Sequence, residues 1–488
     1  MTLQTVLEDL RKRPGAGDVI QVIDPATEEP ITEFTDCGTE AVNDAVARAK
    51  ASFESGVWSQ LPGRQRAKVL WKIGDLIDEH AQEFAELDSL NTGMPLMQAQ
   101  LQMSTCSEFF RYYAGWCSKL NGTAYDVKTD GIATDTFVDM HAYTLKEPFG
   151  VVGLIFPWNG PIFNASAKLA PALAAGGSML VKPAEETPLS ALLLDQLVHE
   201  AGVPEGVVNL LTGYGHTAGA AITAHAGVEK VAFTGSTEVG KTLAAQAAGT
   251  VKRVSLELGG HAPFLVFDDA DPVHAAKGAA LVKFLNTGQA CISPNRIFVQ
   301  RGIYPEFVRV LTERVGALRT GNGADAAVSI GPLIDEQAVA KMERHTQDAV
   351  TKGARLLAGG HRLAGQEFDQ GTFFAPTVLS EVTPEMLIYR EETFGPIAAV
   401  TPFDDEKQAI QMANDTAYGL ASYVYTRDLS RAIRVCEALR FAIVGVNDIN
   451  PTSAAAPFGG TKESGLGREG GREGIAEYLD TKLVGLSL

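Results

Sequence analysis

The sequence predicts an α/β protein made of two tandem units, each a parallel sheet covered by helices. Three observations predict it. Short apolar stretches alternate with helical ones from residue 151 onward, the pattern of repeated strand-helix-strand units. A second series of the same kind follows Cys291. The chain has 488 residues, too many for one core at about 150 residues per domain. Hydrophobic residues make up 45% and charged ones 20%, which supplies a large core and excludes a disordered chain.

In chain order, residues 39–53 place Val42, Val46, Ala49 and Phe53 at helical spacing, and 65–120 continue with mostly helical periodicity. Between Gly122 and Gly150 the text turns to "TAYDVKTDGIATDTFVDMHAYTLKEPFG", whose Thr, Val and Tyr content and short-period alternation read as a long hairpin, an arm able to pair with another subunit. The strands "VVGLIF", "SMLVKP", "VVNLLTG", "KVAFTG" and "APFLVFDD" follow, with a helix over 187–201 expected to be capped by Thr187, opened by Pro188 and stopped by Gly202. The second series is "RIFVQ", "FFAPTVLS", "IAAVTPF", "ASYVYT" and "AIVGVN", with helices between them such as 335–352. The tail, 475–488, reads as an apolar strand that a monomer would leave exposed at an edge, which oligomerisation would relieve.

Acidic residues outnumber basic ones 59 to 41, a net charge of -18 that repels a phosphate backbone, so nucleic acid is not an expected partner. No apolar run approaches a membrane span, and the first residues lack a signal peptide's apolar stretch, making the cytoplasm the expected location and a membrane partner unexpected. The five cysteines, Cys37, Cys106, Cys117, Cys291 and Cys436, are odd in number and scattered, which fits neither a disulfide framework nor a metal site.

Residues 235–242, "GSTEVGKT", match the phosphate-binding loop pattern letter for letter after the strand "KVAF". "FLVFDD" at 264–269 mimics the strand-borne aspartate that supports magnesium in nucleoside triphosphatases. A glycine-rich turn opening a helix, however, offers N–H groups to any phosphate, a dinucleotide's included. "GYGHTAG", 213–219, spaces its glycines one residue wider than the dinucleotide fingerprint.

Other stretches carry chemistry. "FPWNGP", 156–161, presents the Asn159 amide at a sheet's carboxyl end; "LELGG", 256–260, sets Glu257 in an apolar run, solvated at an edge or held as a raised-pKa base. "KPAEETP", 182–188, offers Lys182 and Glu185 to a ribose, or is merely an acidic helix start. "EETFGP", 391–396, joins a carboxylate, an aromatic and a tight turn. "NTGQACIS", 286–293, holds Cys291, and a free cysteine taken alone is usually a small buried hydrophobe.

Taken in order with "PFGGTKESGLGRE", 457–469, these stretches resemble the aldehyde dehydrogenase superfamily over essentially the whole chain. The resemblance implies a Rossmann-type cofactor domain (1–124 and 149–259), an α/β catalytic domain (260–471) and a small β oligomerisation arm (125–148 and 472–488) in a homodimer or homotetramer. It implies Cys291 as nucleophile, Asn159 and the Cys291 N–H as oxyanion donors, Glu257 as the group that activates water, and Lys168 and Glu469 as proton relays. "GSTEVG" would then receive a cofactor's pyrophosphate. Ile155, Trp158, Lys182, Glu185, Gly215, Gly219, Phe233, Gly235, Ser236 and Val239 match the family's nucleotide-binding positions, and Glu392 and Phe394 those for the nicotinamide ribose and ring. Glu185 would repel a 2′-phosphate, which favours NAD while leaving NADP possible. No metal is implied.

Wording such as "GPLIDEQAVAKMERH" resembles the branch that includes succinate semialdehyde dehydrogenases. Where that branch places arginines for a distal carboxylate, this chain has Ala167 and Leu285, leaving no guanidinium fork. With Gly160, Asn164, Ile292 and Phe458 these form the expected substrate pocket, which suits a medium-sized or aromatic aldehyde better than a small diacid semialdehyde. A nucleoside triphosphatase, a non-enzymatic relative and a coenzyme-A-acylating relative are the competing readings; the presence of Cys291 and Glu257 argues against the last two.

Overall fold

The computed structural model describes residues 3–130, 137–449 and 452–487. The first sheet has six strands in the order Gly465–Leu466, Arg253–Glu257, Lys230–Thr234, Val151–Ile155, Ser178–Lys182, Val208–Leu210. The last five run parallel. Val151–Ile155 is the first of them in the chain, and the order reverses beside it, against Lys230–Thr234, making the doubly wound switch point at whose carboxyl edge ligands bind. Every residue of Val151–Ile155, Ser178–Lys182 and Lys230–Thr234 is buried, as near-continuous apolar strands covered on both faces should be.

The second sheet has seven strands, ordered Arg355–Ala358, Thr377–Ser380, Ile397–Phe403, Pro294–Gln300, Ala262–Val266, Ala421–Tyr425, Ile443–Val446, all parallel but for the first pair. Two findings depart from the sequence reading. "APFLVFDD", read with the first series, lies in the middle of the second sheet; the fifth parallel strand of the first sheet is "RVSLE". The helix expected over 187–201 spans Leu189–Glu200, and Thr187 does not cap it: its hydroxyl donates to the Trp158 carbonyl (3.5 Å). Gly202 does end it, at φ +106°.

The arm forms a separate three-stranded sheet in which Phe137–Pro148 pairs antiparallel with Ala124–Asp130 on one side and with the tail Leu479–Ser487 on the other. The tip of the predicted hairpin, 131–136, lies outside the described residues. The tail is therefore paired along one edge within its own chain, and Leu483 (65% exposed) and Leu486 (44%) still face out. Among the described residues no helix is long and apolar enough to cross a membrane.

Candidate functional site

The site is built where strand ends of the first sheet meet segments of the second unit. After strand Val151–Ile155 the chain turns through "FPWNG" into helix Pro161–Ala175, with Pro161 at its first turn, where a missing N–H costs nothing. Lys168, on the buried side of that helix, is 1% exposed. Its ammonium donates to the Thr234 hydroxyl (2.6 Å), at the end of a neighbouring strand, and is paired closely with Glu469. Glu469 reaches this point because Gly465–Leu466 returns from the second unit to pair antiparallel with Leu256 and Glu257.

Glu257 ends its strand 4% exposed, and its Oε1 has no hydrogen-bond partner. Burial pushes its carboxyl well above the usual range and Glu469 adds to the push, against Lys168 and Arg468. The two glycines that follow are required by closeness: a Cβ on Gly259 would lie 2.7 Å from Glu392 Oε2, and one on Gly260 only 2.2 Å from the Cys291 carbonyl oxygen. The Gly260 N–H donates to Glu392 (2.7 Å). "LELGG" thus brings the backbone of Cys291 and the carboxylate of Glu392 against the end of the Glu257 strand.

Cys291 is half-buried. Burial, then Glu257, Glu392 and Glu469, hold its thiol well above its ordinary pKa, so the resting group is a thiol rather than a thiolate. The Asn159 side-chain amide donates to the Gln289 carbonyl (2.9 Å), which fixes it beside the cysteine turn and leaves its second N–H. Of the other cysteines, burial raises Cys37 and Cys117 to about 11, as inert packed thiols should be.

Around the switch point, Ser236 caps helix Thr237–Ala248 by accepting from the Val239 N–H (3.3 Å). Gly235 is required there, since a Cβ would meet the Phe233 ring at 2.4 Å, and Ile155 ends the adjacent strand. Lys182 donates to Glu185 (2.8 Å), whose other oxygen accepts from the Gly215 N–H (3.3 Å). Burial opposes the ionisation of Glu185, but Lys182 and Gly215 prevail and hold it below the usual range. Gly215 opens onto free space, and a Cβ at Gly219 would touch Lys182 at 3.9 Å. Phe394, at φ +54°, sets its ring edge-on to Trp158 with centroids 5.6 Å apart.

The expected pocket positions are less uniform. Cys291, Ile292 and Phe458 each pack against the apolar core of the second unit, and Leu285 is 37% exposed. Ala167 is 2% exposed, inside the first unit's core. Asn164 spends an N–H on the Gly160 carbonyl (2.8 Å). The phosphate-loop reading also fails on geometry. Lys241 lies exposed and paired with Glu463 (2.8 Å), and Asp269, in the other sheet's connection, pairs with Arg431 and caps Arg427 and Asp428. Sequence reasoning gave no role to Thr234, Asn286 and Gln289, although they stand inside quoted stretches, and none to Gln98, which has no motif near it.

This architecture is the aldehyde dehydrogenase fold. The family model described as "Aldehyde dehydrogenase family" matches residues 12–484, and the chain belongs to that family. It is 44% identical to a probable succinate-semialdehyde dehydrogenase [NADP(+)] of Sinorhizobium fredii, over 96% of this chain and 93% of that protein. It is also 44% identical to a 3-sulfolactaldehyde dehydrogenase of Pseudomonas putida, over 99% and 96%. Betaine aldehyde dehydrogenase from Staphylococcus aureus in complex with NAD+ superposes with a TM-score of 0.92 at 37% identity, covering 99% of this chain and 97% of that one.

Proposed function

We propose that the chain oxidises an aldehyde to its carboxylic acid with NAD(P)+ through a thioester on Cys291. The observation that carries this reading is the meeting of three groups at one place: the half-buried Cys291, the buried Glu257 with an unpartnered oxygen, and the Asn159 amide bonded to the cysteine turn. Once the thiol has given its proton to solvent, sulfur attacks the aldehyde carbon, a carbon–sulfur bond forms and the carbonyl electron pair moves to oxygen. The Asn159 amide and the Cys291 N–H hold that oxyanion. Glu392 and Phe394 would hold a nicotinamide ring, which would supply the acceptor for the hydride released as the carbonyl re-forms. Glu257 then takes a proton from water, hydroxide adds to the thioester, and the carbon–sulfur bond breaks to release the acid. Lys168 and Glu469 pass on the proton that Glu257 has taken.

The residues at the switch point fit a dinucleotide. The helix at Ser236 would offer N–H groups to a pyrophosphate, the space over Gly215 is open, and Glu185, held as a carboxylate, would meet an adenosine ribose. Ile155, Trp158, Lys182, Gly219, Phe233, Gly235 and Val239 would complete the site, with Glu392 and Phe394 at the nicotinamide end. A carboxylate accepts hydrogen bonds from ribose hydroxyls and repels a 2′-phosphate, so NAD is the preferred coenzyme of this reading and NADP a poorer one.

For the substrate, Leu285 and Ala167 supply no guanidinium for a distal carboxylate, which supports a medium-sized or aromatic aldehyde. The relatives' names favour a second reading, an acid-bearing aldehyde such as succinate semialdehyde. NADH formation across succinate semialdehyde, benzaldehydes and alkanals separates them: a kcat/KM highest for succinate semialdehyde overturns the first.

The sheets support the division into a cofactor domain (1–124, 149–259), a catalytic domain (260–471) and an arm (125–148, 472–488), with one crossing, the Gly465–Leu466 strand that joins the first sheet. The outer edges of the arm's sheet and its exposed Leu483 and Leu486 support a homodimer or homotetramer.

A further inference from the structure

The turn that carries Cys291 is held in a conformation its side chains disfavour. Asn286 (φ 46°, ψ 45°) and Thr287 (φ 58°, ψ 26°) both lie in the left-handed region, and Gly288 follows at φ 78°. A left-handed, β-branched threonine persists only where its surroundings impose it. Thr287 is anchored by donating to the Gly331 carbonyl (3.1 Å), and Asn286 by its side chain, which donates to the Asn159 carbonyl (3.0 Å).

The backbone of Asn286 is held by a residue 188 positions away. Gln98 Oε1 accepts from the Asn286 N–H (2.8 Å), and Gln98 Nε2 donates to the Ser329 carbonyl (3.1 Å). One amide thereby ties the helix Leu96–Ala114 to the cysteine turn and to the loop that also anchors Thr287. The start of that helix is itself pinned to the second unit. The Leu96 N–H donates to the Gly323 carbonyl (2.9 Å), and a Cβ on Gly331 would lie 1.9 Å from the Gly93 carbonyl oxygen, so the two segments pack backbone to backbone.

We propose that Gln98 is a positioning residue for aldehyde oxidation. Its side-chain oxygen keeps Asn286 left-handed, and Asn286 in turn keeps Asn159, the oxyanion donor, in register with Cys291. The proposal rests on the aldehyde-oxidising reading above. Gln98 touches neither the thiol nor the coenzyme positions, so its loss is felt in the chemical step and not in coenzyme binding.

The test compares Gln98→Leu, Gln98→Asn and Gln98→Glu with the wild-type chain, reading kcat, KM for coenzyme, and the rate at which iodoacetamide alkylates Cys291 without coenzyme. Displacement of reacting groups by about 1 Å costs about 100-fold, so Gln98→Leu is expected to lower kcat by about 10- to 100-fold with coenzyme KM within about twofold, and to change the alkylation rate. Gln98→Asn, too short to reach Asn286, should behave likewise if the leucine variant does not fold. Gln98→Glu keeps the oxygen that accepts from Asn286 but loses the donation to Ser329, and should retain severalfold more kcat than the leucine and asparagine variants. An unchanged kcat and alkylation rate in the leucine and asparagine variants overturns the proposal, as does a glutamate variant as impaired as they are. If wild-type protein oxidises no aldehyde, the activity reading fails by itself, and the alkylation rates still decide whether Gln98 sets the cysteine turn.

Discussion

Replacing Glu257 by glutamine keeps the shape of the buried side chain and removes its ionisation. A positioned general base contributes about 10²- to 10⁴-fold to rate, or about 3 to 5 kcal/mol at 1.36 kcal/mol per decade, so kcat should fall by at least 10²-fold. Because the carboxylate is assigned to hydrolysis of the thioester and not to its formation, the first turnover should survive. Stopped-flow absorbance at 340 nm should therefore show a burst of about one NADH per chain, then a slow steady state. The same change should alter stability in a pH-dependent way. Burial raises the folded-state pKa of Glu257, so wild-type protein loses stability as pH rises from the unfolded value of about 4.3 through the folded one. The glutamine variant lacks that loss, and its melting temperature relative to wild type should climb between pH 5 and pH 8. A kcat within about threefold of wild type, a missing burst, or a melting difference independent of pH would refute the assignment of Glu257 as a buried base.

Asp88, 1% exposed with Oδ1 unpartnered, has its carboxyl raised by burial to about 7. Ionising it above its unfolded value of about 3.9 costs stability that reaches about 4 kcal/mol beyond pH 7, so Asp88→Asn should melt higher than wild type at pH 8, keep about a third of that advantage at pH 5 and lose it near pH 4; a constant difference in calorimetry contradicts this. Glu185→Ala should narrow the preference for NAD+ over NADP+ by about tenfold in kcat/KM, and an unchanged ratio removes Glu185 from that role. Leu483→Asp, on the tail's exposed face, should shift light-scattering mass toward the monomer with little change in fold.

The parallel strands from 151 to 234 were legible because buried strands are uninterrupted apolar runs, whereas Arg253–Glu257, exposed at its start, was not; Cys291, Glu257 and Asn159 were picked out only by the resemblance that their stretches carry together. The strand Ala262–Val266 was misplaced for the same physical reason: one apolar run reads like another, and only the crossover that follows decides which sheet it joins. Thr187 carries every local mark of a cap, yet tertiary contact with Trp158 takes its hydroxyl. The return of Gly465–Leu466 to the first sheet, which brings Glu469 to Lys168, is a pairing across more than 200 residues with no local signature. Gln98 was illegible in the same sense, since a helical glutamine shows its partner only once the cysteine turn is placed beside it. Ala167, taken from the resemblance as a pocket position, lies buried in the first unit's core although Phe163 and Asn164, one turn before it on Pro161–Ala175, are partly exposed.

The central claim is that oxidation passes through covalent attachment to one cysteine. Its most direct test is the rate of NADH formation by Cys291→Ala with the best aldehyde of the panel. The account predicts loss of at least about 10³-fold with the melting temperature and NAD+ binding retained; oxidation at a near-normal rate would contradict it.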